Sequence, residues 1–385
     1  MADRYILRRL WFQAHLWIGV ALFLVLIPLS VTGSLLVWHD ALDETVNPQR
    51  YAVTGAANRP LEAYAEAARA VLAEDQPVSA IRLPEHDGGP VVVSAPMAAS
   101  EGAAPGRGRP PQGNVWIDPG SARVLDQGRS DQGLVRWLHV FHGSLMVPGL
   151  GRKVVGWLGW LMLASALTGI WLWWPRNGKV QRGLRWRRTS LTSSNLHHQV
   201  GFWVSLPLAV LAFTGAYISF PQTFRGLVGA MTGAPPPAAK AAAPAGPGRD
   251  GPARPLAETR RSPDEAVAAV RAQQPAGRLV AVTYPTERKA QWIVRLQPGG
   301  LLPISYAVDD RSGTVKPDGP RPDAAARTAR LMRVVHDGGG TGWLWQAIIF
   351  LAGLAPAVLG VTGVIMWLRN RGGRRARNAW RTNGG

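Results

Sequence analysis

The chain has 385 residues, 46% of them hydrophobic, and carries 43 Lys+Arg against 24 Asp+Glu for a formal net charge of +19. It has no cysteine, which excludes disulfide frameworks, thiolate metal sites and iron–sulfur clusters; any bound metal must use imidazole, thioether or oxygen ligands. The positive charge is gathered into short runs beside apolar segments, so it reads as an orientation signal with attraction to anionic membrane lipids as a by-product, and no nucleic-acid partner is expected.

Four segments are long and apolar enough to span about 30 Å of hydrocarbon: Leu16 to Trp38, Val154 to Trp174, Phe202 to Phe220 and Trp343 to Leu368. The first is too long for a secretory signal and ends in Val37-Trp38-His39 rather than in small residues suited to cleavage. Arg4, Arg8 and Arg9 precede span 1; Arg176, Lys179, Arg182, Arg185, Arg187 and Arg188 lie between spans 2 and 3; Arg369, Arg371, Arg374, Arg375, Arg377 and Arg381 follow span 4. All three clusters share one side, which the positive-inside rule makes the cytoplasm. The expected order is a cytoplasmic N-terminus with span 1 (1–39), an exported segment (40–135), span 2 with a short leader (136–175), a basic cytoplasmic loop (176–193), span 3 (194–220), a second exported segment (221–332), span 4 with its leader (333–368) and a basic cytoplasmic tail (369–385).

The exported segments read as two small α+β modules of one design. In the first, a helix over Leu61 to Ala73 leads to strands over Val78 to Leu83, Val91 to Ala95 and Asn114 to Ile117, then a turn at Asp118-Pro119-Gly120. In the second, Ser262 is the N-cap of a helix with acids in its first turn, followed by strands over Leu279 to Tyr284, Gln291 to Leu296 and Ile304 to Val308. Residues 101–112 and the Pro/Ala-rich stretch Gly233 to Pro255 have linker composition. Neither module carries a metal-ligand spacing, nucleophile elbow or phosphate loop, so both read as binding or positioning domains.

The histidines carry the chemistry. His15 precedes Gly19 and Thr32-Gly33 at the same offsets at which His197 precedes Gly201 and Thr214-Gly215. His142 precedes Thr168-Gly169 as His336 precedes Thr362-Gly363. The chain thus reads as a doubled unit, two parallel repeats whose axis along the membrane normal brings equivalent histidines together. His15 and His197 are expected at the cytoplasmic ends of spans 1 and 3, each with a glycine one turn deeper that lets a flat macrocycle lie against the helix. His142 and His336 precede the breaks Pro148-Gly149-Leu150-Gly151 and Gly338 to Gly342, and are expected on short segments at or just above the outer surface. Two imidazoles without cysteine in an apolar surround describe a low-spin b-type haem better than tetrahedral zinc or thiolate copper, and no Cys-x-x-Cys-His offers covalent attachment. Arg136, Arg152, Arg330 and Arg333 at one end, and Arg8, Arg9 and Lys179 at the other, are candidate propionate partners.

The elements His15-x3-Gly19 with Thr32-Gly33, Leu138-His139-x2-His142-x2-Leu145 with Gly151-Arg152 and Trp173-Trp174-Pro175, Leu196-His197-x3-Gly201, and His336-Asp337-Gly338 with Thr362-Gly363-x2-Met366-Trp367 resemble those of the PepSY-associated transmembrane proteins over nearly the whole chain. The exported segments resemble PepSY domains. The resemblance implies an iron-regulated inner-membrane oxidoreductase of the ferrisiderophore-reductase kind. It implies two haem b, with His15, His197, His142 and His336 as axial ligands to the haem iron. Electrons from a quinol or a cytoplasmic flavin or NAD(P)H reductase would pass to a periplasmic ferric siderophore, releasing Fe(II). His139 and His198 depart from the repeat, whose other copies have Arg333 and Leu16, and each can replace its neighbour as ligand after a modest helix rotation. His39 and His86 read as surface residues. Two other classes fit the same sequence: a non-catalytic membrane-anchored regulator that binds peptides, and a transporter of an iron chelate.

Overall fold

The computed structural model describes residues 2–97, 111–175, 181, 184, 186, 190–233, 253–299, 302–319 and 322–383, with side-chain surroundings described within 6–371. The loop cations Arg176, Lys179, Arg182, Arg185, Arg187 and Arg188, most of 101–112, and the Pro/Ala-rich stretch lie outside the described residues. The chain forms two compact units, one of residues 1–39, 138–224 and 331–385, the other of 40–137 and 225–330.

The first unit holds four helices long and apolar enough to cross a membrane. They are α1 (Ala2–Val37), α5 (Gly151–Trp173), α6 (Thr192–Ser219) and α10 (Trp343–Asn383), here spans 1 to 4. The spans pack in cyclic order, each against the next and span 4 against span 1, so spans 1 and 3 stand on a diagonal. Small residues allow the close approaches. A Cβ on Gly159 would lie 3.1 Å from the Ala212 carbonyl oxygen and 3.3 Å from Ala216 Cβ, and Gly353 packs on Ser34, whose hydroxyl donates to the Phe350 carbonyl at 3.1 Å. The apolar residues Leu24, Trp157, Trp203 and Leu206 point outward, as lipid-facing positions do.

Spans 1 and 3 start earlier than the apolar runs suggest, because polar residues continue the helix beyond the hydrocarbon-like stretch. His15 and His197 therefore lie inside helices rather than at their ends. The expected breaks before spans 2 and 4 are present. Short helices α4 (Leu134–Ser144) and α9 (Ala324–Asp337) precede turns in which Leu145, Met146, Gly149, Gly338, Gly340 and Gly342 take positive φ. These turns fold inward: Leu145 packs with Leu22, Leu29 and Leu158, and the Trp345 indole donates to the Val335 carbonyl at 3.0 Å.

The second unit corrects the expectation of two separate modules. Its strands β1 (Ala80–Arg82), β2 (Val91–Pro96), β3 (Gln112–Ile117), β4 (Val124–Arg129), β5 (Arg278–Thr283), β6 (Gln291–Gln297), β7 (Ile304–Asp309) and β8 (Val315–Pro317) form one 8-stranded antiparallel sheet in the order β4-β3-β2-β1-β5-β6-β7-β8. The two halves join where β1 pairs with β5, Ile81 opposite Val282. Each half alone would expose that edge; joining satisfies both. Helices α3 (Leu61–Arg69) and α8 (Pro263–Gln273) cover the sheet, and one core takes Tyr64, Ile81 and Val93 from the first half and Val270, Val282 and Trp292 from the second. Ser262 caps α8, as its sequence predicts, and does so through a capping box with Glu265. Asp264 also accepts the Leu61 and Glu62 amides at 2.8 and 2.9 Å, so α8 caps α3 across the halves.

Behind the two edge strands, β4 and β8, the chain turns on a carboxylate. Asp118, fully buried, accepts the Thr54 amide at 2.7 Å and the hydroxyls of Thr54 and Ser121. Burial alone would raise its pKa, but these bonds outweigh burial and hold the carboxyl at about 2. A carboxyl depressed in the fold contributes stability above its ordinary value near 4 and loses it as pH falls towards 2. The Asp118 contribution, about 2 kcal/mol, is therefore expected to vanish between pH 4 and 2, and Asp118→Asn to flatten that dependence. Hydrogen-exchange protection of β3 amides in the full chain, followed against pH, checks this.

Candidate functional site

Four half-buried imidazoles meet in two facing pairs. His15 on span 1 and His197 on span 3 have ring centroids 6.3 Å apart with planes at 85°. His142 on α4 and His336 on α9 have centroids 6.2 Å apart with planes at 37°. If an imidazole nitrogen lies about 1.1 Å from its ring centre, facing nitrogens at this separation are about 4 Å apart, the span of two metal–nitrogen bonds of about 2.0 Å.

Each ring is held from behind by another span of its own half. His15 Nδ1 meets the Thr168 hydroxyl and the Ser165 carbonyl, both at 3.1 Å. His142 Nδ1 meets the Leu29 carbonyl at 2.8 Å. His197 Nδ1 lies 3.0 Å from the Thr362 hydroxyl, and His336 Nδ1 lies 3.0 Å from that of Thr214. These bonds assign the tautomer. Thr168, Thr214 and Thr362 each donate their single hydroxyl proton to a carbonyl one turn back, Ala164, Val210 and Val358, at 2.7 to 2.8 Å. Their oxygens can therefore only accept, as the Leu29 carbonyl can. All four imidazoles carry the proton on Nδ1, and Nε2 is the nitrogen left to bind.

The glycine after each threonine makes room for the ring. A Cβ on Gly33 would lie 2.5 Å from His142 Cε1; on Gly215, 3.0 Å from His336 Cε1; on Gly169, 3.1 Å from His15 Cε1; on Gly363, 3.4 Å from His197 Cε1. The repeated Thr-Gly pairs, markers of duplication in the sequence, are thus the seats of the histidines. The signal was their constant offset; the missing knowledge was that each seat serves a histidine on a different helix. Gly19, by contrast, faces open space, and Gly201 meets only Leu359, at 3.7 Å.

A cavity of about 610 Å³ surrounds the His15–His197 pair, lined by Gly19, Gly201, Phe23, Leu208, Met162 and Val364 among others. At its polar end stand Arg8 and Arg371. The Arg8 guanidinium donates to the Leu172 carbonyl at 2.6 Å, and that of Arg371 lies 4.8 Å over the Trp367 ring. In the sequence Arg371 carries only a topology signal, because nothing there brings it to the same cavity as Arg8. Lys179 is outside the described residues, and Arg9 does not line the cavity.

His142 and His336 stand on the short helices α4 and α9 ahead of the breaks, as expected. Their rings reach the Leu29 and Gly33 level of span 1 and the Thr214 and Gly215 level of span 3, near the ends of those helices, because the turns after α4 and α9 fold inward. His15 and Leu29 are fourteen residues apart on span 1, so the two pairs are stacked about 21 Å apart along that axis.

His198 lines the same cavity, its ring 6.3 Å from that of His197 and its Nδ1 at 2.5 Å from the Ser194 carbonyl. His139 is exposed, with its ring edge-on to that of His39 at 5.9 Å. Arg152 donates to the Ile218 carbonyl at 2.7 Å, while Arg136, Arg330 and Arg333 are exposed. His86 is exposed beside the Asp87 carbonyl. Among the described residues no three of His, Cys, Asp and Glu gather as a metal site.

The seat geometry grades the glycine substitutions. Gly33→Ala must push the His142 ring aside and is expected to cost about 1–3 kcal/mol, whereas Gly363→Ala makes ordinary contact and should cost less than about 1 kcal/mol. Thermal unfolding of the two variants in the same detergent checks the order.

No curated protein matches the chain. The sequence profile described as the PepSY-associated TM region matches residues 12–370, from within span 1 to within span 4, including both imidazole pairs and the sheet. The chain is a member of the PepSY-associated transmembrane family.

Proposed function

We propose that this protein is an inner-membrane, haem-dependent oxidoreductase: a b-type dihaem reductase that moves electrons across the bilayer to a periplasmic ferric siderophore and releases iron as Fe(II). The observation that carries this reading is the pair of imidazole pairs, each spaced for one metal atom, each with Nε2 available, stacked along the spans. His15 and His197 would be the axial ligands of one haem, and His142 and His336 those of the other. Bound haem would supply one-electron Fe(III)/Fe(II) chemistry at each level.

The remaining roles belong to the chain. Nδ1–H bonds to Thr168, Thr214, Thr362 and the Leu29 carbonyl raise the donor strength of Nε2 and fix the ring orientation. Arg8 and Arg371 are placed to neutralise carboxylates at the end of the cavity. The apolar residues of the lining lower the local dielectric at the His15–His197 level.

The basic clusters support a topology with both termini and the loop between spans 2 and 3 in the cytoplasm and the two exported segments in the periplasm. Matching histidine offsets, the mirrored strand order and the reciprocal seating within each half support two parallel repeats. The electron donor is a quinol or a cytoplasmic flavin or NAD(P)H reductase; a two-electron donor serves two ferric chelates, each taking one electron.

Liposomes holding the oriented protein and a trapped reductant test the activity. An external ferric chelate should be reduced without entering, and His15→Ala or His142→Ala should each lower the rate at least about 100-fold by removing a ligand the route requires. Entry of the chelate, or full rates in both variants, would exclude the reductase.

A further inference from the structure

The cavity around the His15–His197 pair does not end between the spans. Gln13, Trp17 and Val20 line it together with His15, yet Trp17, two residues on, points about 200° round the helix axis from the imidazole. The Trp17 side chain is 57% exposed, and Leu24, two turns further on the same face, is 70% exposed. The cavity therefore passes round span 1 to the side that faces lipid. It does so along span 4. Gly360 packs on span 1, where its Cβ would lie 3.3 Å from Phe23 Cβ. From that crossing towards Arg371 the lining continues with Val364 and Trp367 on span 4, and with Val20 and Gln13 on span 1.

The matching seam between spans 2 and 3 is shut. Five residues after His197, where span 1 has Val20 after His15, span 3 has Phe202. The Phe202 ring stacks on that of Trp173, with centroids 4.1 Å apart and planes at 29°. Trp173 stands five residues after Thr168, as Trp367 stands five after Thr362. Asn195 and Gln199, at the offsets of Gln13 and Trp17, do not line the cavity. One phenyl ring thus distinguishes the two seams. A flat group held between His15 and His197 meets both alike, so it does not account for an opening at one.

We propose that the seam between spans 1 and 4 is a lateral entrance for a membrane-dissolved quinol, and that Gln13 and Val20 are its binding residues. Val20 lies twelve residues along span 1 from Arg8, about 18 Å, and Trp17 and Val20 both fall in the apolar run, so the opening is among lipid tails and admits what dissolves there. At its polar end the Gln13 amide has no hydrogen-bond partner among the described residues, and a ring oxygen of the quinol supplies one. The inference rests on the electron-carrier reading of the His15–His197 level and selects the quinol over a soluble reductase as donor. The quinol gives up two electrons and two protons and becomes the quinone. The electrons leave singly by the His15–His197 level to two ferric chelates, each Fe(III) becoming Fe(II), and the protons pass to water at the Arg8–Arg371 end.

The test combines labelling with rapid mixing. The full-length protein in nanodiscs is photolysed with an azido-benzoquinone carrying a decyl tail, and the label is mapped by mass spectrometry. It should fall on the Gln13–Phe23 and Val364–Arg371 stretches and be suppressed by a large excess of plain decyl-benzoquinone. Decyl-benzoquinol mixed with the oxidised protein should reduce its haem. Val20→Phe, which gives span 1 the ring that shuts the other seam, should slow that step at least about 10-fold. Gln13→Leu should weaken quinone binding about fivefold, as loss of one hydrogen bond does. Dithionite, which needs no entrance, should reduce parent and variants at equal rates, with unchanged spectra. Label on the spans 2 and 3 seam, label that the excess quinone does not suppress, or unchanged quinol reduction in a folded Val20→Phe overturns the proposal. The labelling of the parent decides alone if that variant does not fold. Haem that dithionite reduces and quinol does not overturns the entrance and leaves the electron-carrier reading intact. A protein without a haem spectrum overturns that reading, while suppressible label at the seam still establishes the quinone site.

Discussion

One hydrogen bond per histidine organises the transmembrane unit. A neutral imidazole among apolar helices must place one N–H and one lone pair, and a buried polar group left without a partner costs about 1–3 kcal/mol. Here the N–H is always Nδ1, and its acceptor is always on a neighbouring helix of the same half. That choice leaves Nε2 without a partner from its own half, and the paired rings of the two halves stand with centroids 6.3 and 6.2 Å apart at two levels.

The rest of the bundle follows from seating those rings. A threonine can accept only because its own proton returns to its helix, and a glycine must follow because a side chain there would strike the imidazole. Spans 1 and 3 must stand diagonally so that His15 and His197 face across the centre, which leaves the cavity between them. The chain must turn inward after α4 and α9, through residues of positive φ, to bring His142 and His336 to the same axis. The sheet in the second unit obeys an equivalent logic: two four-stranded halves are joined at an edge that neither could leave bare.

Much of this was legible in the residues. The four spans, the N-cap at Ser262 and the strands with clear alternation stand where hydrophobic pattern and cap chemistry put them. The grouping of His15 with His197 and of His142 with His336 followed from their equal offsets to the glycine and Thr-Gly positions. What the pattern concealed was long-range. Strand β4, Val-Leu-Asp-Gln-Gly-Arg, alternates poorly because it is an edge with no fully buried position, and β8 is three residues long. The β1–β5 junction lies between segments nearly two hundred residues apart, which no local signal encodes. The depth of His142 and the pairing of each Thr-Gly seat with a distant ring are likewise properties of packing, not of spacing.

The central claim, two bis-imidazole haem sites of different geometry in one chain, is tested most directly by electron paramagnetic resonance of the oxidised purified protein. Ligand-plane angle governs the anisotropy of low-spin ferric haem. The near-perpendicular rings of His15 and His197, at 85°, should give a highly anisotropic signal, and those of His142 and His336, at 37°, a separate rhombic one. Two such signals, each integrating to one spin per chain, are the expected result. A folded protein with no low-spin ferric signal, or with only one site per chain, would contradict the account.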